Sequence, residues 1–179
     1  MAGPGPQGRV GHQQPLSRFS PMTLSFTVAG LDPAPFAPLF DLDKAGLDAV
    51  GAVRRVADAP IGFPCRVSLD DARPGETLVL VNYQHQPALT PYRAAHAIYV
   101  RQGMAGACRT VDSLPPALAR RTLSLRCFDA GHMMVAADLA EGAEAAPIIR
   151  RLLDRPEVAY IQAHYAKFGC YAARIERAP

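Results

Sequence analysis

A chain of 179 residues, 49% hydrophobic and 20% charged, has the mixture of a soluble globular protein and the length for one compact core, which excludes a wholly disordered chain. The formal charge of +3 is uneven: residues 1–21 hold Arg9 and Arg18 and no acid, so the remainder is close to neutral. Without clustered Lys and Arg beside aromatic platforms, nucleic acid is not an expected partner, and no apolar run approaches the roughly 20 residues of a membrane-spanning helix.

Residues 1–21, MAGPGPQGRVGHQQPLSRFSP, are rich in glycine and proline without apolar periodicity. The expectation is a disordered leader ahead of a single domain over 22–179, beginning naturally at Met22. The leader lacks the apolar core of a secretory signal. With no close cysteine spacing, Cys65, Cys108, Cys127 and Cys170 are expected as reduced thiols in a cytoplasm.

Leu24 to Val28 alternates apolar and polar residues and predicts a strand, ended by Gly30 and the proline-rich LDPAPFAPLF. Asp41 and Asp43 are N-cap candidates for a short helix that turns Leu42, Leu47 and Val50 inward and stops at Gly51. VRRVAD follows as a strand. In PCRVSLDDARPGETLVLVNY, 64–83, the segments CRVSL and ETLVLVNY predict a hairpin closed by Arg73-Pro74-Gly75-Glu76 as a type II turn. Thr90-Pro91 predicts an N-capped helical turn through Ala95 that sets Tyr92 and Arg93 beside His96, after which AIYVR is strand. Residues 103–116 read as loop.

TLSLRCFD and HMMVAADLA predict a second hairpin across Ala130-Gly131. The spacing of Ile148, Ile149, Leu152 and Leu153 predicts a helix over Ala146 to Leu153, with Pro156 beyond its end. Hairpins with scattered short helices imply an α+β fold on a largely antiparallel sheet.

The last stretch, YIQAHYAKFGCYAARIER, predicts a closing hairpin whose register follows from its hydrophobic pattern. A three-residue loop Lys167-Phe168-Gly169, with Gly169 left-handed, separates the faces. Ile161, Ala163, Tyr165, Tyr171, Ala173 and Ile175 then line one side, and Gln162, His164, Cys170, Arg174 and Glu176 the other. His164 falls opposite Ala172 and diagonal to Cys170 and Arg174. A cation near a thiol favours the attacking thiolate, so His164 and Cys170 are candidate catalytic residues, with Gln162 and Arg174 as substrate-binding neighbours. A solvated sheet face collecting polar residues explains the same pattern.

Elsewhere, Cys65 and Cys127 share strand faces with Val67, Leu69, Leu123 and Leu125, and read as small core residues. Arg93 could clamp a carboxylate or phosphate beside Tyr92 while His96 transfers protons; an ordinary surface ion pair and a satisfied histidine would look alike. A metal would need the cysteines and His85, His96, His132 and His164 to converge through the fold, because no paired-ligand spacing occurs. No phosphate-binding glycine loop and no nucleophile elbow is present, so no cofactor is expected.

The segments GFPCRVSLDDARPGETLVLVNY, TPYRAAHAIYVR and AHYAKFGCYAARIERA, in that order and spacing, resemble a bacterial family known only as domain of unknown function 1203. The resemblance runs from Met22 to the C-terminus and implies a small stand-alone bacterial protein. It carries no reaction or catalytic residue. The expected function is therefore a binding or accessory module, with a small-molecule ligand and a homodimer both allowed. The alternative is an enzyme using His164 and Cys170, or Arg93 and His96, on an anionic or electrophilic substrate.

Overall fold

The structure, a computed structural model, describes residues 24–179 together with Met1 and Gly3; the leader expected over 1–21 and the start expected at Met22 otherwise lie outside the described residues. Nine strands form: β1 (Phe26–Ala29), β2 (Val53–Val56), β3 (Thr77–Gln86), β4 (Ala94–Arg101), β5 (Arg109–Val111), β6 (Thr122–Phe128), β7 (Met134–Glu141), β8 (Tyr160–Tyr165) and β9 (Tyr171–Arg177). They make a six-stranded sheet, ordered β5-β1-β9-β8-β6-β7, and a three-stranded sheet, ordered β2-β3-β4. All strand pairs are antiparallel. With short helices α1 (Lys44–Ala49), α2 (Pro116–Ala119) and α3 (Ala145–Leu153), this is the α+β class predicted. No described helix is long and apolar enough to cross a membrane.

The larger sheet is covered on both faces. One side turns Leu123, Leu125, Cys127, Ile161, Ala163 and Ile175 toward Ile149, Leu152 and Leu153 of α3, and these close the main apolar core. Each such side chain contributes about 1.5–3 kcal/mol by leaving water. The other side faces the far end of the β3–β4 hairpin: Tyr92 meets the Phe128 ring edge-on, Gln86 donates to the Tyr160 hydroxyl, and His85 bonds Gln162. Every residue of β8 is consequently buried.

Where short-range signals ruled, the predicted elements form. Asp43 caps α1 by accepting from the Gly46 N–H at 2.8 Å, and Gly51 takes a left-handed φ of 67°. Leu47 is buried, but Val50 is exposed, because the helix ends before it could bring Val50 round. The helix after β7 and the β6–β7 hairpin stand where expected.

Three segments differ. CRVSL is not a strand: Cys65 N–H donates to Asp70 O, Leu69 N–H donates to Cys65 O, and Leu69 adopts a φ of 53°. β3 already has β2 and β4 on its edges, so no hairpin with 65–69 can form. Residues 65–67 instead bridge the sheets, with Arg66 N–H donating to Tyr99 O of β4 while Leu31 N–H donates to Arg66 O. Gly30 makes room for this bridge, since a Cβ there would lie 2.3 Å from Val67 O. The second correction is the helical turn expected at 91–95. Arg93 N–H donates to Thr90 O in a tight turn, and β4 begins at Ala94. The stretch 103–116, read as loop, includes β5.

Candidate functional site

The closing hairpin keeps the expected register over part of its length. Ile161, Gln162 and Ala163 pair with Ile175, Arg174 and Ala173 as expected, but a bulge then sets His164 opposite Tyr171 rather than Ala172. Gly169 is left-handed at φ 70° as predicted, with its N–H donating to Tyr165 O at 2.7 Å. Alternation along β8 sets His164 on the same side as Gln162, beneath the β3–β4 hairpin. His164 is therefore fully buried, not on a solvated face.

Alternation from Val81 and Tyr83 along β3 carries His85 into the same space, a second bulge, between Tyr83 and Gln86, adds Gln86, and β4 supplies His96. The His85 and His96 rings stack with centroids 4.7 Å apart, and His164 meets them edge-on at 5.0 and 5.4 Å. His96 Nδ1 lies 2.8 Å from His85 Nε2, and His85 Nδ1 lies 2.7 Å from Gln162 Oε1. The Gln162 amide nitrogen donates to His85 O at 3.1 Å. His164 Nδ1 donates to Gly169 O at 3.0 Å, which leaves its Nε2 buried without a partner among the described residues.

Burial pushes His164 down to about 3 and His85 to about 4, Arg126 adding repulsion in both cases. Burial, then Arg126, then Arg66, lowers His96 as well. Three neutral imidazoles thus sit in a positive field. Among the described residues they are not arranged to hold a metal: His85 Nε2, which would be a ligand atom, is engaged by His96.

Beside the imidazoles a cavity of about 480 Å³ opens between the sheets, lined among others by His96, Tyr99, Arg66, Arg121, Tyr165 and Cys170. Arg66, only 1% exposed, donates to Tyr171 O at 2.7 Å, to Pro64 O, and to Cys170 Sγ at 3.0 Å. Among the described residues it forms no salt bridge, and neither does Arg126. Arg121, by contrast, grips Asp71 with bonds of 2.6 and 2.9 Å. Burial alone would raise Asp71, yet that grip and the Gly62 N–H bring it below the ordinary carboxylate value. The Tyr165 ring lies between the Arg66 and Arg121 guanidiniums, 4.9 and 5.1 Å away. Its hydroxyl is buried without a partner, and burial pushes it up to about 12.

A family model described as "Protein of unknown function (DUF1203)" matches residues 62–177. The chain belongs to the DUF1203 family. No curated protein and no solved structure matches it. The matched span begins at Gly62 rather than at Met22, and includes every residue of the cavity and the imidazole cluster.

Of the residues singled out in this DUF1203 chain, His96 and Cys170 line the cavity and His164 packs against His96. Gln162 is buried and holds His85. Arg174 stays apart: it stacks on Tyr160 at 3.7 Å and pairs with Glu176 at 2.7 Å. Tyr92 packs on Phe128, and Arg93 is exposed, with neither lining the cavity. Residues three apart on an extended chain project oppositely, so without the helical turn Arg93 and His96 do not converge. Cys65 and Cys127 are core residues as expected, burial pushing Cys127 up to about 11.

Sequence reading missed Arg66, Arg121, Arg126 and Tyr165, and saw His85 only as a remote metal ligand. The alternation Val81, Tyr83, His85 carries a signal for His85. Arg66 carries none, because its position alternates with buried Cys65 and Val67 as an outward residue would.

Proposed function

We propose that the protein binds a small anionic molecule in the cavity between its two sheets and presents the Cys170 thiol and the His96 imidazole to it. The observation that carries this reading is Arg66, a guanidinium 1% exposed, on the cavity wall and without a carboxylate partner among the described residues. A charge withdrawn from water is expensive unless it is paired, and a planar guanidinium matches carboxylate and phosphate oxygens. The same side chain touches Cys170 Sγ. A ligand held by Arg66 therefore lies against the sulfur, and an electrophilic carbon on that ligand would meet a nucleophile.

An accessory module docking through a flat apolar patch has no comparable observation behind it. Apart from Met1, the large apolar side chains most exposed, Leu89, Leu139 and Phe168, belong to three different hairpins.

Competitive alkylation tests the reading. Iodoacetate is an anion and iodoacetamide is its neutral analogue. Cys170 should show a higher iodoacetate-to-iodoacetamide rate ratio than Cys108, the other partly exposed thiol, as read by peptide mass spectrometry. Arg66→Gln should abolish that preference. Equal ratios at the two cysteines would remove the anion site.

A further inference from the structure

The hydrogen bonds around His85 fix where its proton sits. The Gln162 amide nitrogen is committed to His85 O, so the amide oxygen is the atom that faces His85 Nδ1. An oxygen accepts, so Nδ1 carries the hydrogen. In the neutral ring Nε2 is then a bare lone pair, and the atom 2.8 Å from it, His96 Nδ1, must donate. His96 is left with Nε2 as its free acceptor, on a ring that lines the cavity. Turning the amide over would set its oxygen against His85 O, and the other tautomer of either ring would set two donors or two acceptors against each other.

We infer that His96 is the proton acceptor of the cavity, and that His85 and Gln162 are positioning residues that hold it in the Nδ1–H tautomer. The inference deepens the anion-site reading and rests on it for what enters the cavity. The resident acid is the Cys170 thiol: its S–H bond breaks, the electron pair stays on sulfur, and an N–H bond forms at His96 Nε2. The imidazolium so created is resisted by Arg66 and Arg126, and an anion bound at Arg66 offsets that resistance.

The groups facing His96 are consistent with this direction. β3 supplies His85 and Tyr83, and β8 His164, with Tyr171 of β9 packed against His85 and His164; β6 supplies Arg126, and the bridge between the sheets Arg66; Arg121 and Cys170 stand on the cavity wall. Asp71 is a carboxylate bonded to this wall, held by Arg121 and the Gly62 N–H.

Nitrogen-15 correlation spectra of the imidazoles in the full chain test the relay directly. His85 and His96 should both report hydrogen on Nδ1 and a bare Nε2; hydrogen on His96 Nε2 would overturn the inference whatever the alkylation result. Gln162→Glu keeps the shape and places a carboxylate against His85 Nδ1. It should raise the proton affinity of the His85–His96 pair by about tenfold or more, seen as an upward move of their titration and of the pH profile of Cys170 alkylation by iodoacetamide. An unmoved titration in a folded Gln162→Glu protein would also overturn it. Because iodoacetamide is neutral, the profile does not depend on the anion preference, so loss of that preference with an intact relay sinks only the anion site. A collapsed variant leaves the wild-type spectra to decide.

Discussion

The two faces of the six-stranded sheet are built from the same strands, yet they obey different rules. Toward α3, Leu125, Cys127, Ile161 and Ile175 need only to exclude water, and Cys127 is a thiol made inert by hydrocarbon. Toward the β3–β4 hairpin, Gln162 and His164 must each find a partner, and most of their polar atoms do. His164 Nε2 does not, and it lies beside the cavity, as does the Tyr165 hydroxyl. A second buried face is therefore where chemistry can be placed, because burial there is compensated atom by atom.

Acid should break the comparison most strongly. His85 and His164 are neutral in the folded protein down to about 4 and about 3, whereas an unfolded chain takes up protons from about 6.5. Stability is full above that value and falls as the pH is lowered toward 3, His164 alone accounting for on the order of 5 kcal/mol. Urea unfolding at several pH values should show this loss, and a flat profile between pH 6.5 and 4 would contradict it.

The apolar face should respond differently. Leu125→Ala removes a fully buried side chain and should cost about 2–5 kcal/mol, by the same amount at neutral and acid pH.

His164→Phe sharpens the contrast. It loses the bond to Gly169 O but also removes the orphan nitrogen, so neutral-pH stability should change by only about 1 kcal/mol. The acid limb of the stability curve should become shallower. Unchanged acid sensitivity would place the linkage elsewhere.

The smallest effect belongs to the turn tip. Phe168→Ser, at a side chain 80% exposed, should shift the unfolding free energy by no more than about 0.5 kcal/mol.

What the sequence determined by itself were features that neighbouring residues decide. The alternation over 122–128 and 171–177, the Asp43 cap, the helix spaced by Ile149, Leu152 and Leu153, and the left-handed Gly169 all depend on contacts a few residues apart. They were enough to place Gln162, His164 and Arg174 on one side of the closing hairpin. Tertiary structure alone decided that this side is covered and which residues cover it. His85 meets Gln162 across 77 positions of sequence, and Arg66 meets Cys170 across 104. Contacts at that separation arise from the packing of one sheet on another, and no local periodicity encodes them. The same packing held 65–69 in a bridge instead of a strand and left Arg93 outside, so the cation at the thiol is Arg66, a residue whose surroundings in the chain give no sign of it.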